Sequence, residues 1–245
     1  MNSIWKEKFT IHVYDVDCFG RAKPFNLFSF LLNCAWRHVS FSDYSFENLD
    51  KINQFWVLSK ILIVFNKYPM WNDEIIIETY GNGTDRFYAF RDFNIYSSDG
   101  TKIIQAASSW LLLDKTSYRP QRMDKLSETF PMEIGIKTLD IELLKLQEPL
   151  KQDLTSEFMV HFSDIDVNRH VNSSRYMQWL YDSYPANVLE EKIIESFEIN
   201  YFAEAKLGDL ITIKIDKNVT QDYCNIRRKD DGKELCRAAI KWKDI

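Results

Sequence analysis

The sequence predicts an α+β protein made of two copies of one unit, each a helix followed by an antiparallel sheet that wraps or covers it. Three observations carry this reading. A nine-residue motif recurs: residues 9–17 read F-T-I-H-V-Y-D-V-D and residues 158–166 read F-M-V-H-F-S-D-I-D. At a constant offset of 149 (166 minus 17), Phe9, His12, Asp15 and Asp17 therefore meet Phe158, His161, Asp164 and Asp166. Each motif leads into a helix-like stretch and then a meander of strand-like segments. Composition agrees: 17 Phe, 12 Tyr and 7 Trp favour strands, and 7 Gly and 6 Pro in 245 residues imply short loops.

In the first copy, Pro24 to Val39 sets Phe25, Leu27, Phe28, Leu31, Leu32 and Ala35 at helical spacing, with Pro24 suited to a first helical turn. Strands follow over about Phe55 to Phe65, Glu74 to Tyr80, Phe87 to Tyr96 and Lys102 to Leu113. In the second copy, Asn172 to Ser183 carries Tyr176, Met177, Trp179 and Leu180, with Asn172, Ser173 or Ser174 as the N-cap. Its strands run over about Glu195 to Phe202, Leu210 to Lys217, Asp222 to Arg228 and Glu234 to Trp242. Asn82-Gly83 reads as a hairpin turn, and Asp99-Gly100 and Asp231-Gly232 fall at matching places in the two copies. Residues 114–155 are poor in strand pattern, although Ile141 to Leu146 reads as a short helix or a strand. The expected organisation is a unit over 1–130, a linker over 131–155 and a second unit over 156–245.

Several function classes fall away. A net charge of -5 argues against a general nucleic-acid binder. The four cysteines form no CxxC pair and no zinc spacing with histidine, so neither a disulfide framework nor a metal is expected. His12 and His161 recur and are read as structural rather than metal-binding. No apolar run approaches a membrane span, and residues 1–10 lack an apolar leader core. A reducing cytoplasm is therefore expected, and the lack of an Arg/Ser-rich leader favours a bacterial over a plastid chain. No GxSxG, HExxH or phosphate-binding loop is present, and no cofactor is expected.

The chemistry concentrates in Asp166-Val167-Asn168-Arg169-His170-Val171-Asn172. If this run is extended, alternate residues share a face, and a carboxylate, an amide and an imidazole stand together. Asn168 has N–H donors for an oxyanion, His170 hydrogen-bonds or moves a proton near neutral pH, and Asp166 orients either. Capping and turn formation are the bland alternative. Against it, the first copy has Phe19 opposite Asn168 and Arg21 opposite His170.

This run, followed by Tyr176 and Trp179, resembles the D-x-N-x-H-V-N motif of the acyl-acyl-carrier-protein thioesterases of plants and bacteria. The resemblance extends from about Ile11 to Trp242 and includes Tyr14-Asp15-Val16-Asp17 with Gly20-Arg21. It implies two tandem hot-dog units, each a long helix wrapped by an antiparallel sheet, the first binding the acyl chain and the second catalytic. It also implies a catalytic glutamate in a Y-x-x-E context, which Tyr201-Phe202-Ala203-Glu204 matches. Plant members place a cysteine after that glutamate, whereas this chain has Ala205, which disfavours a covalent cysteine route.

The resemblance implies hydrolysis of fatty acyl-carrier protein to free fatty acid, within fatty acid biosynthesis. The expected catalytic residues are Asp166, Asn168, His170 and Glu204, with Glu204 acting on a water. An acyl-coenzyme A thioesterase, a hot-dog dehydratase or isomerase, and a non-catalytic acyl-binding module remain as alternatives. The partners implied are an acidic acyl carrier protein and a fatty acyl thioester. Monomer and homodimer are both compatible with tandem units. Candidate docking cations are Arg21, Lys23, Arg37, Arg86, Arg91, Arg119, Arg122, Arg169, Arg175, Arg227 and Arg228.

Overall fold

A computed structural model describes residues 2–123 and 130–245, so residues 124–129 of the stretch between the copies lie outside it. The chain divides into two units, Met1–Leu143 and Leu144–Ile245. The first runs β1 (Ile4–Thr10), α1 (Pro24–Val39), α2 (Phe46–Lys51), β2 (Gln54–Phe65), β3 (Glu74–Thr84), β4 (Tyr88–Ser97) and β5 (Lys102–Asp114). Its strands form an antiparallel sheet in the order β1-β3-β4-β5-β2. The second runs β6 (Leu154–Met159), α3 (Ser173–Asp182), α4 (Ala186–Glu191), β7 (Lys192–Tyr201), β8 (Leu210–Asp216), β9 (Asp222–Arg228) and β10 (Glu234–Asp244). Its order, β6-β8-β9-β10-β7, repeats the first.

Each core lies between a helix and one face of its own sheet. Helix α1 buries Leu27, Phe28, Leu31, Cys34, Ala35 and His38, a stripe at helical spacing. The sheet supplies Ile77, Phe93, Ile95, Ile104, Ala106 and Ile63, all fully buried. These are neighbours in register: Ile77 faces Ile95, Ile95 faces Ile104, Phe93 faces Ala106, and Ala106 faces Ile63. In the second unit α3 buries Tyr176, Met177, Trp179 and Leu180 over a sheet face holding Ile213, Ile226, Ala238, Ile199 and Phe197. Burying each such large side chain contributes about 1.5–3 kcal/mol.

The structure departs from the sequence reading in four places. The strands β1 and β6 lie outside the expected meander. Both are edge strands: β1 reads as polar because Lys6, Glu7 and Lys8 run together, Lys8 pairing with Glu74 at 2.7 Å and Lys6 with Glu78 across β1 and β3, while β6 is only six residues long. The six-residue helices α2 and α4 are too short to show periodicity. Asn82-Gly83 is not the hairpin turn. Strand β3 continues through it with a bulge, at Gly83 φ 145°, and the chain turns at Asp85, whose carboxylate accepts the Phe87 N–H at 3.0 Å. Ile141 to Leu146 is neither helix nor strand.

The stretch 138–150 that contains it is held instead by polar side chains. Asp92 accepts the Thr138 N–H at 2.6 Å, Gln105 donates to the Thr138 carbonyl at 2.6 Å, and Lys60 donates to the Leu143 carbonyl at 2.6 Å. Within the second unit Asn200 accepts the Leu146 N–H at 2.8 Å and Asp216 the Leu150 N–H at 2.9 Å. Side chains thus replace the backbone ladder that the segment lacks.

The repeated D-x-D motif has a mechanical explanation. Its first aspartate closes a one-turn 3-10 helix, Asp15 accepting the His12 N–H at 2.9 Å and Asp164 the His161 N–H at 2.8 Å. Both histidines are exposed. The second aspartate holds the next turn. Asp17 Oδ1 accepts the N–H groups of Phe19 and Arg21, as Asp166 Oδ1 accepts those of Asn168 and His170. Both turns need a left-handed residue, Gly20 at φ 78° and Arg169 at φ 63°. For arginine that conformation costs about 1–2 kcal/mol, where glycine is unstrained. Arg169→Gly is expected to raise the melting temperature and Gly20→Arg to lower it. Thermal unfolding followed by circular dichroism checks both signs.

Candidate active site

The run from Asp166 to Asn172 is a tight turn, not an extended strand. The Asp166 carbonyl accepts the Arg169 N–H at 3.0 Å, the His170 carbonyl accepts the Asp166 N–H at 2.8 Å, and Ile165 bridges Val171. The alternation expected to put Asp166, Asn168 and His170 on one face is therefore replaced by a reversal. Asp166 serves by gripping the backbone N–H groups of the other two, at 2.8 and 3.3 Å. Asn172 then caps α3, accepting the Ser174 N–H at 3.0 Å.

The reversal aims His170 at Glu204. His170 Nε2 lies 3.1 Å from Glu204 Oε2, both side chains about a fifth to a quarter exposed. Glu204 sits in the loop after β7, which the surrounding residues fix. The Arg228 guanidinium donates to the Glu204 carbonyl at 2.9 Å while its Nε holds Asp209 at 2.9 Å. Tyr176 on α3 accepts the Ala205 N–H at 3.0 Å, and Tyr201 donates to the Ser173 carbonyl at 2.7 Å. The tyrosine of the Y-x-x-E pattern thus ties the loop to the helix that follows the turn.

Burial pushes the Glu204 carboxyl up to about 7, the nearby Asp166 charge adds to the rise, and Lys206 opposes it. Asn168 is half-buried, and its carboxamide makes no hydrogen bond with any described residue. The arrangement offers a base poised near neutrality and an imidazole in contact with it, with the Asn168 amide two residues before that imidazole on the same turn. The thiols of the second unit do not compete. Cys224 and Cys236 are fully buried, and burial raises both well above the ordinary thiol range. Ala205 is itself fully buried.

The first unit shows the same turn without the chemistry. Arg21, at the place of His170, donates through Nε to Asp17 at 2.7 Å. What this unit holds instead is an apolar cleft of about 570 Å³, counting its solvent-open part. Leu32, Ala35, Trp36, Val39, Trp56, Ala89, Trp110, Phe130 and Met132 line it.

Several candidate docking cations are already engaged. Arg21 and Arg91 are buried, and Arg175, Arg227 and Arg228 pair with Asp164, Glu148 and Asp209. Arg86, Arg119 and Arg169 are exposed. Sequence reasoning did not reach the pairing of Asp209 with Arg228 as a clamp. The signal for Asp209 was its match with Asp73, which likewise accepts the N–H three residues before it, that of Met70, at 2.8 Å. No group among the described residues is suited to hold a metal ion, and no described helix is long and apolar enough to cross a membrane.

Comparison with known proteins bears on the family. The acyl-ACP thioesterase N-terminal domain matches residues 2–128 and the acyl-ACP thioesterase C-terminal domain residues 147–244. The chloroplastic palmitoyl-acyl carrier protein thioesterase of Gossypium hirsutum is 24% identical across 98% of this chain and 64% of its own. Oleoyl-acyl carrier protein thioesterase 2 of Arabidopsis thaliana is 25% identical across 98% and 76%. The chain spans about 62–64% of the length of several curated relatives that it matches. Among solved structures, an acyl-ACP thioesterase from Bacteroides thetaiotaomicron is 26% identical, with 98% of each chain covered and a TM-score of 0.88. The 12:0-ACP thioesterase of Umbellularia californica, 18% identical at a TM-score of 0.88, shares the fold. With both of its hot-dog units matched, the chain belongs to the acyl-ACP thioesterase family.

Proposed function

We propose that this protein hydrolyses the thioester of a fatty acyl chain on acyl carrier protein, releasing free fatty acid and the carrier thiol. The observation that carries the reading is the 3.1 Å contact between His170 Nε2 and Glu204 Oε2, with the carboxyl pushed up to about 7. Ionised Glu204 takes a proton from a water as its oxygen attacks the thioester carbonyl. Asn168 donates to the oxyanion, and His170 holds the carboxylate in line. The C–S bond then breaks and the departing thiolate takes up the proton that Glu204 gained. Asp166 acts through the turn, as a positioning residue.

The second unit is the catalytic one in this account, and the first holds the acyl chain in its apolar cleft. An acidic carrier suits Arg169, exposed one residue from His170. Four free cysteines, three of them buried, fit a reducing cytoplasm.

Thiol release from acyl chains of several lengths, on carrier protein and on coenzyme A, tests the reaction. Glu204→Gln and His170→Ala are each expected to lower kcat by at least ~10²-fold with the fold intact. Near-wild-type turnover in both would contradict the assignment. The base works only when ionised, so kcat should climb with pH through about 7 and level above it, and Glu204→Gln should lose that limb.

The same group makes a stability prediction. The Glu204 carboxyl moves from an ordinary 4.5 to about 7 on folding, so the folded state binds the extra proton between those values. Its contribution to stability is therefore lost as pH rises across that window. Glu204→Gln removes the penalty, and its gain in melting temperature should grow from about pH 4.5 to 7 and stay constant above. A gain that shrinks with rising pH would refute the burial of an ionised carboxylate.

A further inference from the structure

We infer that Arg91 makes the first-unit cleft a receptor for an alkyl chain that ends in a carboxylate, which the guanidinium binds. The inference rests on reading that cleft as an alkyl-chain pocket. Arg91 lies on β4 in phase with Ala89, Phe93 and Ile95, all buried, and is itself only 7% exposed. It nevertheless forms part of the cleft wall.

Its partners are neutral. Nη1 donates to Thr79 Oγ1 at 3.1 Å and to His38 Nδ1 at 3.2 Å. His38 Nε2 lies 3.0 Å from the Asn2 carbonyl, which can only accept, so the ring proton sits on Nε2 and Nδ1 is bare. Burial and then the Arg91 charge hold His38 down to about 4, so the imidazole carries no charge at neutral pH. The Phe130 ring, 5.7 Å from Cζ, adds a cation–π contact. Among the described residues no carboxylate pairs with Arg91, and none accepts from its Nε–H or its Nη2 hydrogens.

The other sequestered arginines contrast with it. Arg21 pairs with Asp17, Arg228 with Asp209 and Arg237 with Glu234. A cation withdrawn from water without a counter-ion is costly, and a carboxylate entering the cleft would offset that cost through paired, charge-assisted hydrogen bonds. Trp36, Trp56, Trp110 and Met132 supply the apolar wall that an alkyl chain needs. The carboxylate has two possible sources: the far end of an ω-carboxyacyl thioester, or a free fatty acid entering head-first.

The test titrates the full chain with decanoate and with decan-1-ol, following tryptophan fluorescence. Decanoate is expected to bind at least ~10-fold more tightly, with the gap closed in Arg91→Met and retained in Arg91→Lys. Equal affinities in the wild type overturn the inference, whether or not Arg91→Met folds. A gap that persists in folded Arg91→Met overturns it as well. Binding of neither ligand overturns the alkyl pocket itself, and the inference with it. Turnover separates the two sources. Faster hydrolysis of ω-carboxydecanoyl than of decanoyl thioester assigns the carboxylate to substrate, and competitive inhibition by decanoate without that preference assigns it to product.

Discussion

The catalytic proposal depends on one contact between two chain segments, His170 against Glu204 at 3.1 Å. Neither residue is placed by regular structure. Asp166 bends the backbone before α3 so that His170 emerges at the end of a turn, and Arg228 and Tyr176 clamp the loop that carries Glu204. The contact forms because polar side chains satisfy backbone groups in both loops, which would otherwise be mobile. The partial burial that results also lifts the carboxyl to about 7. Position and proton affinity thus have a common origin.

Duplication supplies an internal control. Both units use an aspartate to hold the same turn, so that aspartate marks architecture, and the residue four positions on marks what each unit does. In the first unit Arg21 folds back onto Asp17 and the turn is closed by an ion pair. In the second, Asp166 holds the His170 backbone N–H and the His170 side chain reaches Glu204. Freed of this chemistry, the first unit keeps a cleft lined by aromatic side chains.

Much of the fold was legible because the repeat fixed the order of elements and the aromatic strands declared themselves. The edge strand β1 was hidden by pairs such as Lys8 with Glu74, which make an ordered strand read as a polar tail. Asn82-Gly83 misled because a dipeptide that favours a turn also suits a bulge, and only pairing with β4 decides between them. Within the site, the residue types were legible but their geometry was not. Nothing in the sequence announces that Arg169 takes the left-handed conformation that Gly20 takes in the other copy. Arg91 was read as a docking cation although its phase with Phe93 and Ile95 already placed it on the buried face.

The account turns on water, activated by Glu204, attacking the acyl carbonyl directly. Single-turnover hydrolysis in water enriched in oxygen-18, followed by mass spectrometry of both the acid and the protein, addresses this at the atoms concerned. The heavy oxygen is predicted in the released fatty acid, with the peptide containing Glu204 unlabelled. Heavy oxygen in the Glu204 carboxyl, and an unlabelled first-turnover acid, would mean that the carboxylate itself attacks, and would contradict the account.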